Sequence, residues 1–254
     1  MVYDVQKAGL WKRISAYLFD VILLGIVTVG FAFLLSSGLK YDDHVTARET
    51  LRTEYEVQYG VEFDVSQTDY DAMTEAEKEA YMEAYTAFAT DPEVSALDLL
   101  IINLTLMIVG VSVLGALMLL EFVVPLLFGN GQTLGKKIFS IGVMRVDGVR
   151  ISLFQLFVRT ILGKYTLETM LPVFALFMVF LNVMPIVGLA GALLVLLLQI
   201  SFMLTSQYRT PIHDMVAGTV TVDIASQMIF ESTEALMAYK QRVHDEMVAR
   251  AEYR

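Results

Sequence analysis

The amino-acid sequence predicts an all-α membrane protein: a four-helix transmembrane bundle with a small cytoplasmic β-hairpin or three-stranded sheet and an external helical insert. Composition is the first indication, since 56% of the 254 residues are hydrophobic and the mean hydropathy is +0.59. The second is a set of long apolar stretches, because about 20 apolar residues cross a bilayer as a helix. The third is that basic residues gather beside these stretches, as they do on the cytoplasmic side of membranes.

The first apolar stretch covers residues 14–36 and follows Lys12 and Arg13. As a helix it is about 35 Å long, enough to cross a hydrocarbon core of about 30 Å with some tilt. It contains a single charged residue, Asp20, and an aspartate at the centre of a membrane helix costs roughly 2.5–3.5 kcal/mol. The Asp20 carboxylate therefore needs protein, water or a counter-ion beside it, and Asp20 is a candidate ion- or proton-binding residue.

Residues 40–96 are strongly acidic, with four Lys/Arg against fifteen Asp/Glu, whereas the rest of the chain is nearly neutral. Helical composition over 45–59 and a capping box that begins at Thr74 predict a small external helical insert. One interpretation of the insert is an acidic vestibule that concentrates cations. The other is a solvated acidic surface, which is favoured because charge runs are usually solvated and interact weakly.

The second apolar stretch leaves the depth of one carboxylate open. Residues 99–120 are uncharged, Glu121 follows, and residues 122–128 are again apolar. A span that ends at Phe128 buries Glu121 about two turns inside the membrane, whereas a span that ends near Leu120 leaves it at the interface. Glu121 is a candidate ion- or proton-binding residue only in the first register.

The segment 129–152 is predicted to be cytoplasmic, because basic residues favour that side. Its Asp147-Gly148 pair separates two short β-prone stretches, which is a strong hairpin signal. The alternating residues 219–222 are expected to add a third strand, because an isolated hairpin is marginally stable in water. The basic residues of the segment are Lys136, Lys137, Arg145 and Arg150.

Two further spans are predicted after this loop. A capping box that begins at Ser152 starts an amphipathic helix, which contains Arg159 and Lys164 and is expected to lie along the inner leaflet. Residues 171–204 would be about 50 Å long as one helix, too long for a single crossing. Turn-forming residues at 182–188 divide them into the third and fourth spans.

A short helix over 210–218 is predicted to carry His213 and Asp214. The chain is expected to divide into residues 1–39 (cytoplasmic lead and first span), 40–96 (acidic insert), 97–223 (three spans with the hairpin and the interfacial helix) and 224–254 (cytoplasmic helical tail).

Three separated stretches resemble the RDD family of bacterial membrane proteins, which is named for one arginine and two aspartates. The stretches are GLWKRISAYLFD, GQTLGKKIFSIGVMRVDG and RTPIHDMVAGTVTVD, in the order of the family. The resemblance maps the named residues onto Arg13, Asp20 and Asp214. It implies a multi-pass protein of the bacterial plasma membrane, and cation–proton exchange has been attached to some members. The acidic insert lies outside the usual family pattern.

Three of the charged candidates have a structural and a gating interpretation. Arg13 is either a topology anchor that reaches the lipid head groups or a structural partner of Asp214. Asp214 itself is either a backbone-capping group or part of an ion site. His213 is either a gate that titrates near neutral pH or a solvated interfacial residue.

The residue that pairs with Asp20 decides whether Asp20 has a structural role or an ion-exchange role. With Arg159 or Lys164 beside it, the carboxylate forms a static structural ion pair. Beside Glu121 in a desolvated pocket, the two carboxyls share a proton and can exchange H⁺ for Na⁺.

No enzyme activity, cofactor or metal centre is expected. The chain has no cysteine, which excludes disulfides, thiol nucleophiles and zinc–thiolate sites. It has none of the nucleotide-binding, zinc-protease or hydrolase motifs. A nucleic-acid partner is not expected either, because most basic residues flank membrane helices, as topology alone requires.

Two functions from different classes fit the sequence. The first is a small exchanger of Na⁺, Li⁺ or K⁺ against H⁺, and the second is a non-transporting membrane scaffold, an assembly or interaction protein. The expected partners are the lipid bilayer, these ions and further copies of the chain, since four spans offer little room for alternating access in a monomer. Both termini are expected in the cytoplasm.

Overall fold

The computed structural model describes residues 5–206, 208 and 210–252. The chain divides into two compact units, Val29–Ser112 and the remainder, Met1–Thr28 with Val113–Arg254. Within the described residues, four helices are long and apolar enough to cross a membrane, which confirms the all-α membrane class. They are α1 (Leu10–Gly38), α5 (Pro92–Phe128), α7 (Leu153–Phe180) and α8 (Pro185–Thr205).

The unit Val29–Ser112 contains the helices of the acidic insert. As the sequence indicates, α2 ends at Gly60, whose φ of +64° is a left-handed conformation common at helix ends. The capping box at Thr74 starts α4, and the Phe88 ring of α4 packs edge-on against Tyr55 of α2, with ring centroids 5.6 Å apart. The sequence did not indicate the short helix α3. The bounds are α2 (Tyr41–Tyr59), α3 (Gln67–Ala72) and α4 (Glu75–Thr90).

Helix α7 corrects the prediction of a separate interfacial helix, because no break separates that helix from the third span. It starts at the predicted capping box, where Ser152 Oγ accepts a hydrogen bond from the Gln155 amide at 3.2 Å. It then continues through a π-helical stretch, Arg159–Met170. The sequence places Arg159 and Lys164 in the interfacial helix, but in the structure they form ion pairs with Asp214 and Glu121 and so do not interrupt the helix.

The connection between α7 and α8 is the tight turn that the sequence predicts. Asn182 adopts a φ of +52° in this turn, and Pro185 is the first residue of α8. Gly188 approaches α7 so closely that a Cβ atom there would lie 3.0 Å from Met178 Cβ. The two helices therefore form a close-packed hairpin, which accounts for the third and fourth spans.

The sheet has two strands in the described residues, not the three expected. Strand β1 (Ile141–Arg145) pairs antiparallel with β2 (Thr219–Asp223). Val220 of β2 lies opposite Met144, and both are almost fully buried. The late strand thus joins the hairpin segment as predicted, and it brings the residues that follow α8 onto the loop between α5 and α7.

The segment after the Asp147-Gly148 turn does not form the expected strand. Gly148 adopts a φ of +93°, and the chain turns back there. The Arg150 amide then donates to the carbonyl of Phe230 at 2.8 Å, and the Phe230 amide donates to the carbonyl of Gly148 at 3.0 Å. The returning segment therefore makes only isolated bridges, one from Arg150 to Met144 of β1 and one from Val149 to Phe230.

Two short helices flank the strands and carry site residues. Helix α9 ends at Gly218, which adopts the left-handed φ of +63° expected of a terminating glycine, and its N-cap is Pro211, one residue after the start of the predicted helix. The bounds of the remaining helices are α6 (Leu134–Ile138), α9 (Ile212–Ala217) and α10 (Thr233–Glu252).

Candidate functional site

Asp20 caps a helix of another part of the chain. Its Oδ2 accepts a hydrogen bond from Thr133 Oγ1 at 2.5 Å, and its Oδ1 accepts one from the Gly135 amide at 2.8 Å. Thr133 is the N-cap of α6, so Asp20 adds a carboxylate where helix amides lack internal partners. A side chain at position 135 would collide with this arrangement, because a Cβ atom there would lie 2.9 Å from Asp20 Oδ1.

The prediction that Arg159 or Lys164 forms an ion pair with Asp20 is wrong. Lys164 and Arg159 approach Glu121 instead, and both oxygens of Asp20 accept hydrogen bonds from uncharged donors. The sequence missed this because a threonine hydroxyl and a backbone amide carry no charge signal.

Helix α5 continues to Phe128, so Glu121 lies within the helix, about two turns before its end. It is 6% exposed and sits in a π-helical turn of α5, Met118–Val123. Lys164 Nζ forms an ion pair with its Oε1. Lys136 Nζ and Arg159 NH1 lie 3.9 Å and 3.8 Å from its Oε2. A buried carboxylate requires such counter-charges, because desolvation of an unpaired charge costs several kcal/mol.

Two buried atoms of this cluster have no hydrogen-bond partner among the described residues. Within the described part of the chain, neither Glu121 Oε2 nor Arg159 NH1 has a hydrogen-bond partner, and both are buried. They face each other at 3.8 Å, about 1 Å beyond the length of a charge-assisted hydrogen bond. Buried polar groups are rarely left unpaired. The gap between these two atoms is therefore the least satisfied point of the cluster.

Lys136 is a site residue that sequence reasoning missed. It is buried in α6, and burial lowers its pKa to about 8 despite the opposing charge of Glu121. The neighbouring charges of Arg159 and Lys164 add to this lowering. Its neighbour Lys137 is exposed, with its Nζ 3.6 Å from the ring centroid of Phe128. Adjacent lysines look alike in a sequence, and only the packing of α6 distinguishes them.

Arg159 joins Glu121 to a second group of residues. Its side chain is 1% exposed. Its Nε donates to Asp214 Oδ1 at 2.7 Å, and its NH2 donates to His213 Nε2 at 2.9 Å. One guanidinium therefore links α7 to α9 and faces α5, a geometry that suits the fixed fork of arginine donors.

Asp214 is an ion-paired residue and not a backbone cap. It also accepts hydrogen bonds from Thr219 Oγ1 at 2.8 Å and Thr221 Oγ1 at 3.1 Å, both in β2. Burial raises the pKa of Asp214, but the charge of Arg159 and these hydroxyl bonds hold it well below the usual range. Arg13, the expected partner, acts electrostatically on Asp214, while Arg159 makes the direct ion pair.

His213 is buried, and so the solvated interpretation of this residue is wrong. Its Nδ1 donates to Glu168 Oε2 at 2.7 Å, while its backbone amide donates to Glu168 Oε1 at 2.8 Å. Burial and the charge of Arg159 lower the pKa of His213, and the ring is neutral with Nε2 as an acceptor. Gly163 of α7 permits this contact, since a Cβ atom there would lie 2.5 Å from His213 Cβ.

Comparison with known proteins identifies one relationship. The model of the RDD family matches residues 7–218, which include Arg13, Asp20 and Asp214. No curated protein and no solved structure matches the chain.

Proposed function

This chain belongs to the RDD family, and we propose that it exchanges monovalent cations (Na⁺, Li⁺ or K⁺) for protons across the bacterial plasma membrane. In this proposal Glu121 binds the cation and the proton in turn. One observation carries it: Glu121 is buried in a candidate membrane span and keeps an oxygen, Oε2, with no hydrogen-bond partner in the described part of the chain. Ionisable groups at such positions commonly mark ion pathways and proton relays.

The other candidate carboxylates are less suited to binding an ion. Both oxygens of Asp20 accept hydrogen bonds, from Thr133 and Gly135. Asp214 is engaged by Arg159 and by two hydroxyl groups of β2. A cation at either residue would have to displace several fixed donors, whereas Oε2 of Glu121 has no hydrogen bond to lose among the described residues.

The same counter-charges that hold Glu121 also make exchange chemically reasonable. Cation binding at Oε2 competes with the charges of Lys136 and Arg159, which approach no closer than 3.8 Å. A bound cation is therefore held weakly enough to be released on the other side.

The membrane arrangement in this proposal keeps both termini in the cytoplasm. An even number of spans puts them on the same side, and the basic residues between α5 and α7 favour the cytoplasm for the loop that contains them. Further copies of the chain would supply the surfaces that alternating access needs.

The test is ion flux in vesicles that contain the purified protein and a pH-sensitive dye. With an imposed pH gradient, addition of Na⁺, Li⁺ or K⁺ to the wild type should change the internal pH. Glu121→Gln should abolish that change. Glu231→Gln is the matched control, because the Glu231 side chain is 79% exposed. The proposal fails if the wild type moves no cation or if Glu121→Gln exchanges normally.

A folding readout accompanies the flux assay, because Glu121→Gln leaves three basic groups without their carboxylate. Glu121→Asp keeps the charge and shortens the side chain, so it should fold and show weaker cation affinity. Elution as a single species and the unfolding temperature identify any variant that is merely misfolded.

A non-transporting scaffold is the second candidate function, and two contacts favour it. Asp20 fastens α1 to α6, and Asp214 fastens β2 and α9 to α7 through Arg159. These contacts join membrane helices to a compact layer of short helices and strands, as an interaction protein would require. A wild type without flux, together with loss of folded protein in Asp214→Asn, would favour the scaffold.

A further inference from the structure

We propose that His213 is an acid-operated switch that moves the guanidinium of Arg159 from Asp214 onto Glu121. The switch is a property of the buried cluster itself. Its consequence for transport rests on the proposed function: an arginine bonded to Glu121 Oε2 occupies the cation-binding oxygen and stops exchange in acid.

The neutral form of His213 is required by its present contacts. Nδ1 donates to Glu168 at 2.7 Å, and Nε2 accepts from Arg159 NH2 at 2.9 Å. A second proton on the ring would have to sit on Nε2. It would then point an N–H group at the N–H groups of a guanidinium, and the bond between His213 and Arg159 would be lost.

A protonated His213 has a new partner nearby. Asp214 Oδ2 lies 3.8 Å from Nε2. A small rotation of the ring would turn this approach into a charge-assisted hydrogen bond, which is stronger than a neutral one. The imidazolium would then supply the positive charge that Asp214 now takes from Arg159.

Arg159 has a second carboxylate, Glu121, to which it can donate after it leaves Asp214. Its NH1 faces Glu121 Oε2 across 3.8 Å, and both atoms are buried without a hydrogen bond in the described part of the chain. A movement of about 1 Å would give both atoms a partner. The cluster thus holds two arrangements of the same charges: Arg159 on Asp214 with neutral His213, or Arg159 on Glu121 with protonated His213.

The charged groups around His213 set the direction of the response. Glu168 and Arg159 face it from α7, Asp214 follows it in α9, and Arg13 acts on Asp214 from α1. Burial and Arg159 lower the pKa of His213 below its ordinary value of 6.5, so the switch operates on the acid side of that value. Exchange should therefore fall about tenfold over each pH unit below the midpoint.

The test follows both ends of the switch by NMR in protein labelled with ¹⁵N at the histidine rings and ¹³C at the glutamate carboxyls. The chain has three histidines, and His213→Gln and His244→Gln assign their signals. As pH falls, the His213 ring should become protonated below pH 6.5. The Glu121 carboxyl signal, assigned with Glu121→Gln, should shift with the same midpoint.

Flux in vesicles gives the second measurement, in which each variant is normalised to its own maximum. The wild type should lose exchange in acid, and His213→Gln should show no such loss because glutamine does not titrate. His244→Gln, an exposed histidine variant in α10, should follow the wild type. If His213→Gln does not fold, the NMR titration of the wild type still decides.

The outcomes separate the switch from the proposed function. Titration of His213 with no change at Glu121, or a ring that stays neutral until the protein unfolds, overturns the switch even if exchange is observed. A linked titration in a protein that moves no cation supports the switch and overturns the proposed function. An equal acid loss in His213→Gln and the wild type also overturns the switch.

Discussion

Arg159 Nε donates to Asp214 Oδ1 at 2.7 Å, and both side chains are 1% exposed. This bond joins the π-helical part of α7 to the short helix α9, and through Asp214 to β2. The two residues are 55 positions apart in the chain, so this bond forms only when the tertiary structure brings α7 and α9 together.

Loss of Arg159 should strongly destabilise the protein. Arg159→Met leaves two buried carboxylates, Asp214 and Glu121, without one of their counter-charges. Breaking a buried ion pair from one side typically costs roughly 3–5 kcal/mol. Arg145→Met is the control, because Arg145 is 37% exposed in its pair with Asp147, and such pairs contribute about 0–1 kcal/mol. Denaturant unfolding in detergent should show this difference, and equal losses in the two variants would contradict it.

Asp20→Asn should lower stability without abolishing exchange. Asparagine keeps one acceptor oxygen for Thr133 or Gly135 but presents an amide donor to the other. Loss of a helix cap and a charged hydrogen bond costs about 1–2 kcal/mol. Unfolding measures the first effect and vesicle flux the second, with Asp245→Asn in the exposed part of α10 as the control. Complete loss of flux in well-folded Asp20→Asn would assign the ion site to Asp20 instead.

Gly163→Ala should separate α9 from α7. The added Cβ atom would lie 2.5 Å from His213 Cβ and 2.6 Å from its Cα, too close for any side chain to accommodate. Overpacking typically costs roughly 1–3 kcal/mol. Gly191→Ala is a matched control, because its Cβ would meet Ala175 Cβ at an ordinary 3.9 Å. The unfolding temperatures of the two variants should differ, with Gly191→Ala close to the wild type.

Lys136 should make stability depend on pH in the alkaline range. Its pKa is about 8 in the folded protein, against an ordinary value of 10.5. Between these two values the unfolded chain holds a proton that the folded protein has released, so stability should rise with pH, by up to about 1.4 kcal/mol per unit. Lys136→Met should lack this rise, while Lys137→Met should keep it. The test is denaturant unfolding of both variants from pH 7 to 10.5. Identical stability profiles for Lys136→Met and Lys137→Met would show that Lys136 does not cause the rise.

The topology can be tested with single cysteines, because the chain has no cysteine of its own. Val57 is 78% exposed in α2, and Val146 is 42% exposed beside the sheet. An impermeant thiol reagent added to intact cells should label Val57→Cys and not Val146→Cys. Both should be labelled after the membrane is permeabilised. The reverse pattern in intact cells would invert the proposed orientation.

The sequence identified the membrane helices because each is a local property. A run of about 20 apolar residues has few alternatives to a membrane helix, and turn residues such as Asn182 and Pro185 interrupt such a run wherever they occur. The capping boxes at Ser152 and Thr74 are equally local and start helices in the structure. The family resemblance, carried by three short motifs, was confirmed by the match over residues 7–218.

The pairing of charges was decided by the tertiary structure alone. The sequence nominated six charged or titratable residues: Arg13, Asp20, Glu121, Arg159, His213 and Asp214. In the structure Glu121, His213 and Asp214 gather around Arg159, whereas Asp20 caps α6 and Arg13 acts electrostatically on Asp214. The sequence could not indicate that Asp20 accepts from the amide of Gly135, because every residue but proline has that donor. Nor could it distinguish the buried Lys136 from the exposed Lys137.

What the sequence by itself determined, then, is the number of membrane helices and the set of charges that must be satisfied among them, because hydrophobic length and the cost of burying charge depend on residue type. Which charges meet depends on how α6 and α9 pack against α5 and α7. That packing depends on contacts between distant residues, among them the pairing of β1 with β2 and the close approach at Gly163. Only the folded chain brings those residues together.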